Sequence, residues 1–193
     1  MLNFVRAALV ASFVGGESAD HPAVAEGGDK GRPYERMGKV LIIGYGNPLR
    51  SDDGFGWHAS RMIAQQLTGR DVRVITCHQL TPELAEPLSQ SSHAVFIDAD
   101  ARGEPGEIHW REVHPGVPDS SAFTHACSPT GLLASAARLY GRVPRAVAVT
   151  VSAQSFAFGE SLSPVVSAAL PKVIERVLQV VCPEGLRDKL EGT

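Results

Sequence analysis

An apolar run, Val40-Leu41-Ile42-Ile43, leads without a break into Gly44-Tyr45-Gly46-Asn47-Pro48-Leu49-Arg50-Ser51-Asp52-Asp53-Gly54-Phe55-Gly56. Consecutive aliphatic residues of this kind suit a strand buried on both faces. The glycines then permit a tight turn, and apolar residues resume at helical spacing after Phe55. A buried strand that delivers a glycine turn and opens a helix belongs to an α/β sheet. Such sheets build their sites beyond the carboxyl ends of their strands, and the adjacent acids Asp52 and Asp53 stand at that position.

The remaining pattern extends this architecture. Strands are expected over residues 40–44, 72–77, 94–97 and 146–151, the third ending at Asp98. Residues 106–113 alternate around Ile108 and Trp110, which suits an edge strand. Helices are expected over residues 55–67, 82–88 and 129–140. The second has Thr81 as N-cap and Pro82 as its first residue. A single long amphipathic helix is expected over residues 163–181, capped by Ser163 with Pro164 after it. Alternating strands and helices imply a single-domain α/β fold, a mostly parallel sheet with helices on both faces.

At 193 residues the chain has room for one well-buried domain. That domain is expected over 37–185, with a tail over 186–193. Residues 1–36 break the pattern: an apolar stretch around Arg6 gives way to a segment rich in Gly, Glu, Asp, Pro and Ala. They are expected to be a disordered N-terminal extension, or a stretch that a start at Met37 makes redundant. Ala23-Val24-Ala25 has the form of a signal-peptide cleavage site, but the apolar stretch is short and lies far upstream of it.

Composition narrows the partners. A net charge of −3 gives no electrostatic reason to expect nucleic acid or an anionic membrane. No apolar run approaches the ~18 residues needed to span a bilayer. Cys77, Cys127 and Cys182 are an odd, sparse set without CxxC spacing, so a reducing cytoplasm is expected rather than a disulfide framework.

Three chemistries compete for the glycine turn. Gly44-Tyr45-Gly46 begins a dinucleotide fingerprint, but Leu49 stands at its third glycine position and two acids would face the pyrophosphate. Cys77-His78, not an acid, ends the second strand. A metal site is the second reading. Asp53 follows the first strand, Asp98 ends the third, and His125 lies in the polar stretch Thr124-His125-Ala126. Loops after parallel strands gather at one edge, and two carboxylates with one imidazole suit Ni²⁺ or Zn²⁺ with positions left open. Residue types alone leave other roles open: Asp53 as a helix cap, Asp98 in an Asx-turn, His125 merely exposed. The third reading pairs Cys127 with His125, or Cys77 with His78, as a thiolate nucleophile. Neighbours in sequence rarely reach that geometry. Of the other histidines only His78 falls near the same edge, and no HExxH spacing occurs.

From residue 37 to 181 the chain resembles the maturation endopeptidases of nickel–iron hydrogenases. The pattern Gly-x-Gly-Asn-x-Leu-x-x-Asp-(Asp/Glu)-Gly-x-Gly is met in full by the residues from Gly44 to Gly56. Asp98-Ala99 with Gly103-x-Pro105-Gly106 is similar to the family's second acidic segment. Thr124-His125, Ser128-Pro129 and Leu132-Leu133 look like its histidine segment. Phe158-Gly159-Glu160-x-Leu162-Ser163-Pro164-x-Val166 resembles its tail.

The resemblance implies a twisted five-stranded sheet of the phosphorylase/hydrolase-like kind. It also implies that Asp53, Asp98 and His125 bind nickel and carry catalysis, with Asp52 in a supporting or capping role. The nickel would be presented by the substrate, with zinc or cadmium able to stand in for it. That substrate would be a hydrogenase large-subunit precursor, cut once by a cytoplasmic, monomeric enzyme of aspartic type after nickel insertion. A protein that binds the immature subunit without cutting it is the alternative. Some members carry an Asp-Gly-Gly-Thr loop after the second strand; the corresponding stretch here, Cys77-His78-Gln79-Leu80-Thr81-Pro82-Glu83-Leu84, keeps only Thr81, Glu83 and Leu84 of that pattern, which leaves the choice of hydrogenase open.

Overall fold

The computed structural model describes residues 39–67, 71–116 and 127–181, which belong to one compact unit. The expected extension over 1–36, the tail over 186–193, Cys182 and His125 lie outside the described residues. Five strands form one sheet: β1 Val40–Tyr45, β2 Val72–Cys77, β3 His93–Asp100, β4 Ile108–Val113 and β5 Arg145–Ser152. Their order is β2-β1-β3-β5-β4. All neighbours pair in parallel except β4, which lies antiparallel to β5 at the edge. The alternating sequence around Trp110 thus occupies the edge, as its pattern predicts.

The aliphatic runs form the central strands because each alternate side chain meets a helix layer. Leu41, Ile43, Ala94 and Phe96 join the cluster that packs against α2 (Ala85–Ser89) and α3 (Pro129–Tyr140). Val40, Ile42, Val95 and Ile97 are buried on the opposite face. There α1 (Phe55–Gln66) lies on β1, β2 and β3 and also meets α5 (Leu170–Val181). Helix α3 starts and stops where its residues direct. The Gly131 amide donates to Ser128 Oγ at 3.1 Å, Pro129 fills the first turn, and Gly141 closes the helix with φ 68°.

Four local expectations are corrected. The single helix over 163–181 is two, α4 (Pro164–Ser167) and α5. Pro171 has no N–H to offer the Ser167 carbonyl, and the Ala169 amide instead donates three residues back, to Val166. Ser163 does not cap α4 with its side chain, because its hydroxyl donates to Asp52. Thr81 makes no capping bond either, and a 3-10 turn, Pro82–Leu84, precedes α2. Strand β3 runs past Asp98 to Asp100, since pairing with β5 continues to Asp100↔Ser152.

The topology fixes where a site can form. From β1 the chain passes to β2 on one side, and β3 then returns to β1's other side. Connections leaving in opposite directions open a crevice at the carboxyl ends of β1 and β3. Asp53 follows the first of these strands and Asp98 lies near the end of the second.

Candidate functional site

The turn after β1 is shaped to hold Asp53. Gly46 has φ +129°, and a Cβ there would strike the Asp53 carbonyl oxygen. Only glycine lets the chain pass so close over that backbone. The Asn47 amide then donates to Asp53 Oδ2 at 2.9 Å. Residues 51–54 form a 3-10 turn, and α1 makes no side-chain capping bond at its start. Asp53 is therefore not a helix cap. Its carboxylate is half-buried and tied through one oxygen to the preceding turn.

Asp52, its neighbour, points elsewhere. It is completely buried. Its Oδ2 accepts from the Gln154 and Ser155 amides and the Ser163 hydroxyl, each at 2.9 Å. Its Oδ1 accepts from the Ser163 amide at 2.6 Å. Four bonds to an ionised acceptor make this a strong clamp. Asp52 thus anchors the loop that follows β5 rather than capping its own helix.

Asp98 comes from β3. Register pairs Gly44 with Ile97, so Tyr45 at the end of β1 stands beside Asp98. Asp98 Oδ1 accepts from its neighbouring Ala99 amide at 2.8 Å, and the Tyr45 hydroxyl donates to the same carboxylate. Burial pushes the Asp98 carboxyl up to about 7; these two hydrogen bonds oppose the rise, and the charges of Asp53 and Asp100 add to it. Burial, with the adjoining Asp98 charge, also raises Tyr45, which therefore stays a donor. The Asx-turn left open for Asp98 is made instead by Asp100, whose Oδ1 accepts from the Arg102 amide at 3.0 Å.

The crevice brings Asp53 and Asp98 close enough to feel each other's charge, and a cation between them would relieve that repulsion. The third expected ligand, His125, lies outside the described residues. Among the described residues no group of three or more His, Cys, Asp or Glu could hold a metal ion. His78 is exposed just past β2. The thiols of Cys77 and Cys127 are both pushed above their ordinary value, chiefly by burial. That is the wrong direction for a thiolate nucleophile.

Two features escape a reading of the sequence: Tyr45 against Asp98, and the loop held by Asp52. The first follows from register. The second joins residues more than a hundred positions apart, and no local pattern announces it.

No protein-family model matches the sequence, and no curated protein matches it. Solved structures do. The hydrogenase maturating endopeptidase HybD from E. coli aligns with TM-score 0.60 and 22% identity, over 78% of this chain and 93% of that one. A [NiFe] hydrogenase maturation protease, HycI from Thermococcus kodakarensis, aligns with TM-score 0.62 and 20% identity, over 74% and 92%. A hydrogenase 2 maturation peptidase from a Thaumarchaeota archaeon aligns with TM-score 0.56 and 22% identity, over 76% and 99%. The chain therefore has the fold of these hydrogenase maturation proteases, with its two acids placed at the switch point of that fold.

Proposed function

We propose that this chain is a member of the hydrogenase maturation endopeptidases. It removes the carboxy-terminal extension of a nickel–iron hydrogenase large-subunit precursor after nickel has been inserted. The observation that carries the reading is that Asp53 and Asp98 lie at the crevice between β1 and β3 within reach of each other's charge, in the fold shared with such proteases. The full Gly44-to-Gly56 motif and the segments around Asp98 and His125 add to it.

In this reading Asp53, Asp98 and His125 contact the nickel that the precursor presents, so an unloaded precursor is passed over. Asp53 and Asp98 each keep carboxylate lone pairs beyond those tied to amide donors. As the water oxygen bonds to the scissile carbonyl carbon, Asp98 accepts the water proton on a carboxylate lone pair not engaged with the metal and returns it to the departing amine as the C–N bond breaks. The peptidase would then be of aspartic type, working in the cytoplasm where the large subunit is assembled. No helix among the described residues is long and apolar enough to cross a membrane.

The test is processing of nickel-loaded precursor by purified protein, followed as a mass loss at the carboxy terminus. Asp53→Asn, Asp98→Asn and His125→Ala are each expected to slow cleavage by at least about a hundredfold, the scale of losing a general acid–base group. Processing of all three at the wild-type rate would overturn the site. Binding without cleavage by the wild-type chain would make it a chaperone for the immature subunit.

A further inference from the structure

Phe158 is 93% exposed, by far the most exposed large apolar side chain among those described, yet its backbone is pinned. The Ser51 hydroxyl donates to the Ala157 carbonyl at 3.0 Å, on one side of it. On the other side the Ser51 amide donates to the Gly159 carbonyl at 2.8 Å, and the Gly159 amide to the Leu49 carbonyl at 3.1 Å. Asp52 clamps the base of the loop at Gln154, Ser155 and Ser163, and the Asp52 amide donates to the Ser155 carbonyl at 3.1 Å. Ser51 holds a positive φ of 47° to make these bonds. A Cβ on Gly159 would stand 2.8 Å from Ser51 Oγ, so the two loops meet at a point that a larger residue would pry apart.

Folding gains nothing from holding an aromatic ring in water on a braced loop. The loop is braced against residues 49–52, the same turn that carries Asp53, and Leu49 in that turn is itself 52% exposed. A ligand that engages the carboxylate pair meets this apolar rim only if it is a chain with side chains of its own. A lone ion or water would have no use for it.

We infer that Phe158, on the loop clamped by Asp52, is a specificity-determining contact that packs against an apolar side chain of the polypeptide substrate that engages the carboxylate pair. Asp52 is a positioning residue for that contact. The inference rests on the proposed polypeptide substrate, but it does not require cleavage.

The experiment measures both affinity and turnover of full-length protein with nickel-loaded large-subunit precursor. Phe158→Ala is expected to raise KM and Kd about tenfold, the scale of one buried aromatic contact, with a far smaller effect on kcat and an unchanged Tm. Phe158→Leu should recover most of the loss, and Asp52→Asn should raise KM with Phe158 still in place. Wild-type binding and turnover by Phe158→Ala would overturn the inference. So would a dimer of this chain that dissociates in Phe158→Ala while precursor affinity stays constant, since the ring would then face a second copy. If the wild-type protein binds precursor without cutting it and Phe158→Ala weakens that binding, the contact stands and the peptidase reading falls. If the wild-type protein neither binds nor cuts, both fall.

Discussion

Asp52 and Asp53 are adjacent and chemically alike, yet the turn sends them to different tasks. Asp52 is sealed in and satisfies three backbone amides and a hydroxyl. Asp53 stays half-exposed and takes one amide. The motif shows two acids but not which one faces the crevice, because that depends on donors from the distant 154–163 segment. Substitution separates them. In Asp52→Asn an NH₂ group must point at amide donors, leaving buried groups unsatisfied. The expected loss is about 2–4 kcal/mol in urea denaturation. Asp53→Asn can still accept the Asn47 amide through its carbonyl oxygen and should cost less than about 1 kcal/mol. Equal losses for the two would remove the distinction. Asp98 is a parallel case: its place at a strand end is legible, whereas Tyr45 becomes its partner only once β1 and β3 are in register.

At the scale of elements, the contact between α1 and the sheet decides how close the acids lie to each other. A Cβ on Gly56 would run into the carbonyl oxygens of Ile97 and Tyr45, so the start of α1 rests on the ends of β1 and β3. Gly56 lets a helix touch two strands. Gly56→Ala should therefore cost about 1–3 kcal/mol through overpacking and lower site activity together with stability. Gly131→Ala in α3, where the added Cβ would meet only Ser128 Oγ at 3.3 Å, should shift stability by less than about 1 kcal/mol. Thermal unfolding of the pair checks this, and a harmless Gly56→Ala would mean that α1 has room to move. The strands were legible because β-branched runs have few alternatives, and α3 because Ser128, Pro129 and Gly141 mark both its ends. The stretch over 163–181 misled because its apolar spacing runs on across Pro171, and spacing carries no information about a missing N–H.

For the molecule as a whole, the switch point places an acid where solvation is poor, and this links stability to pH. The Asp98 carboxyl titrates near 3.8 in an unfolded chain and near 7 in the folded one. Below both values it is neutral in either state, and its burial costs no charge. Between them the unfolded chain has released this proton and the folded chain still holds it. Folding then loses stability as pH rises, and the loss is complete once the folded group ionises. The gap of about three units sets an upper bound of about 4 kcal/mol, and the partial exposure of Asp98 will reduce it. In Asp98→Asn the dependence disappears. The stability of wild type relative to that variant, measured in urea from pH 4 to 7.5, should therefore decline steadily. Parallel curves would show that the folded crevice hydrates Asp98 as water does.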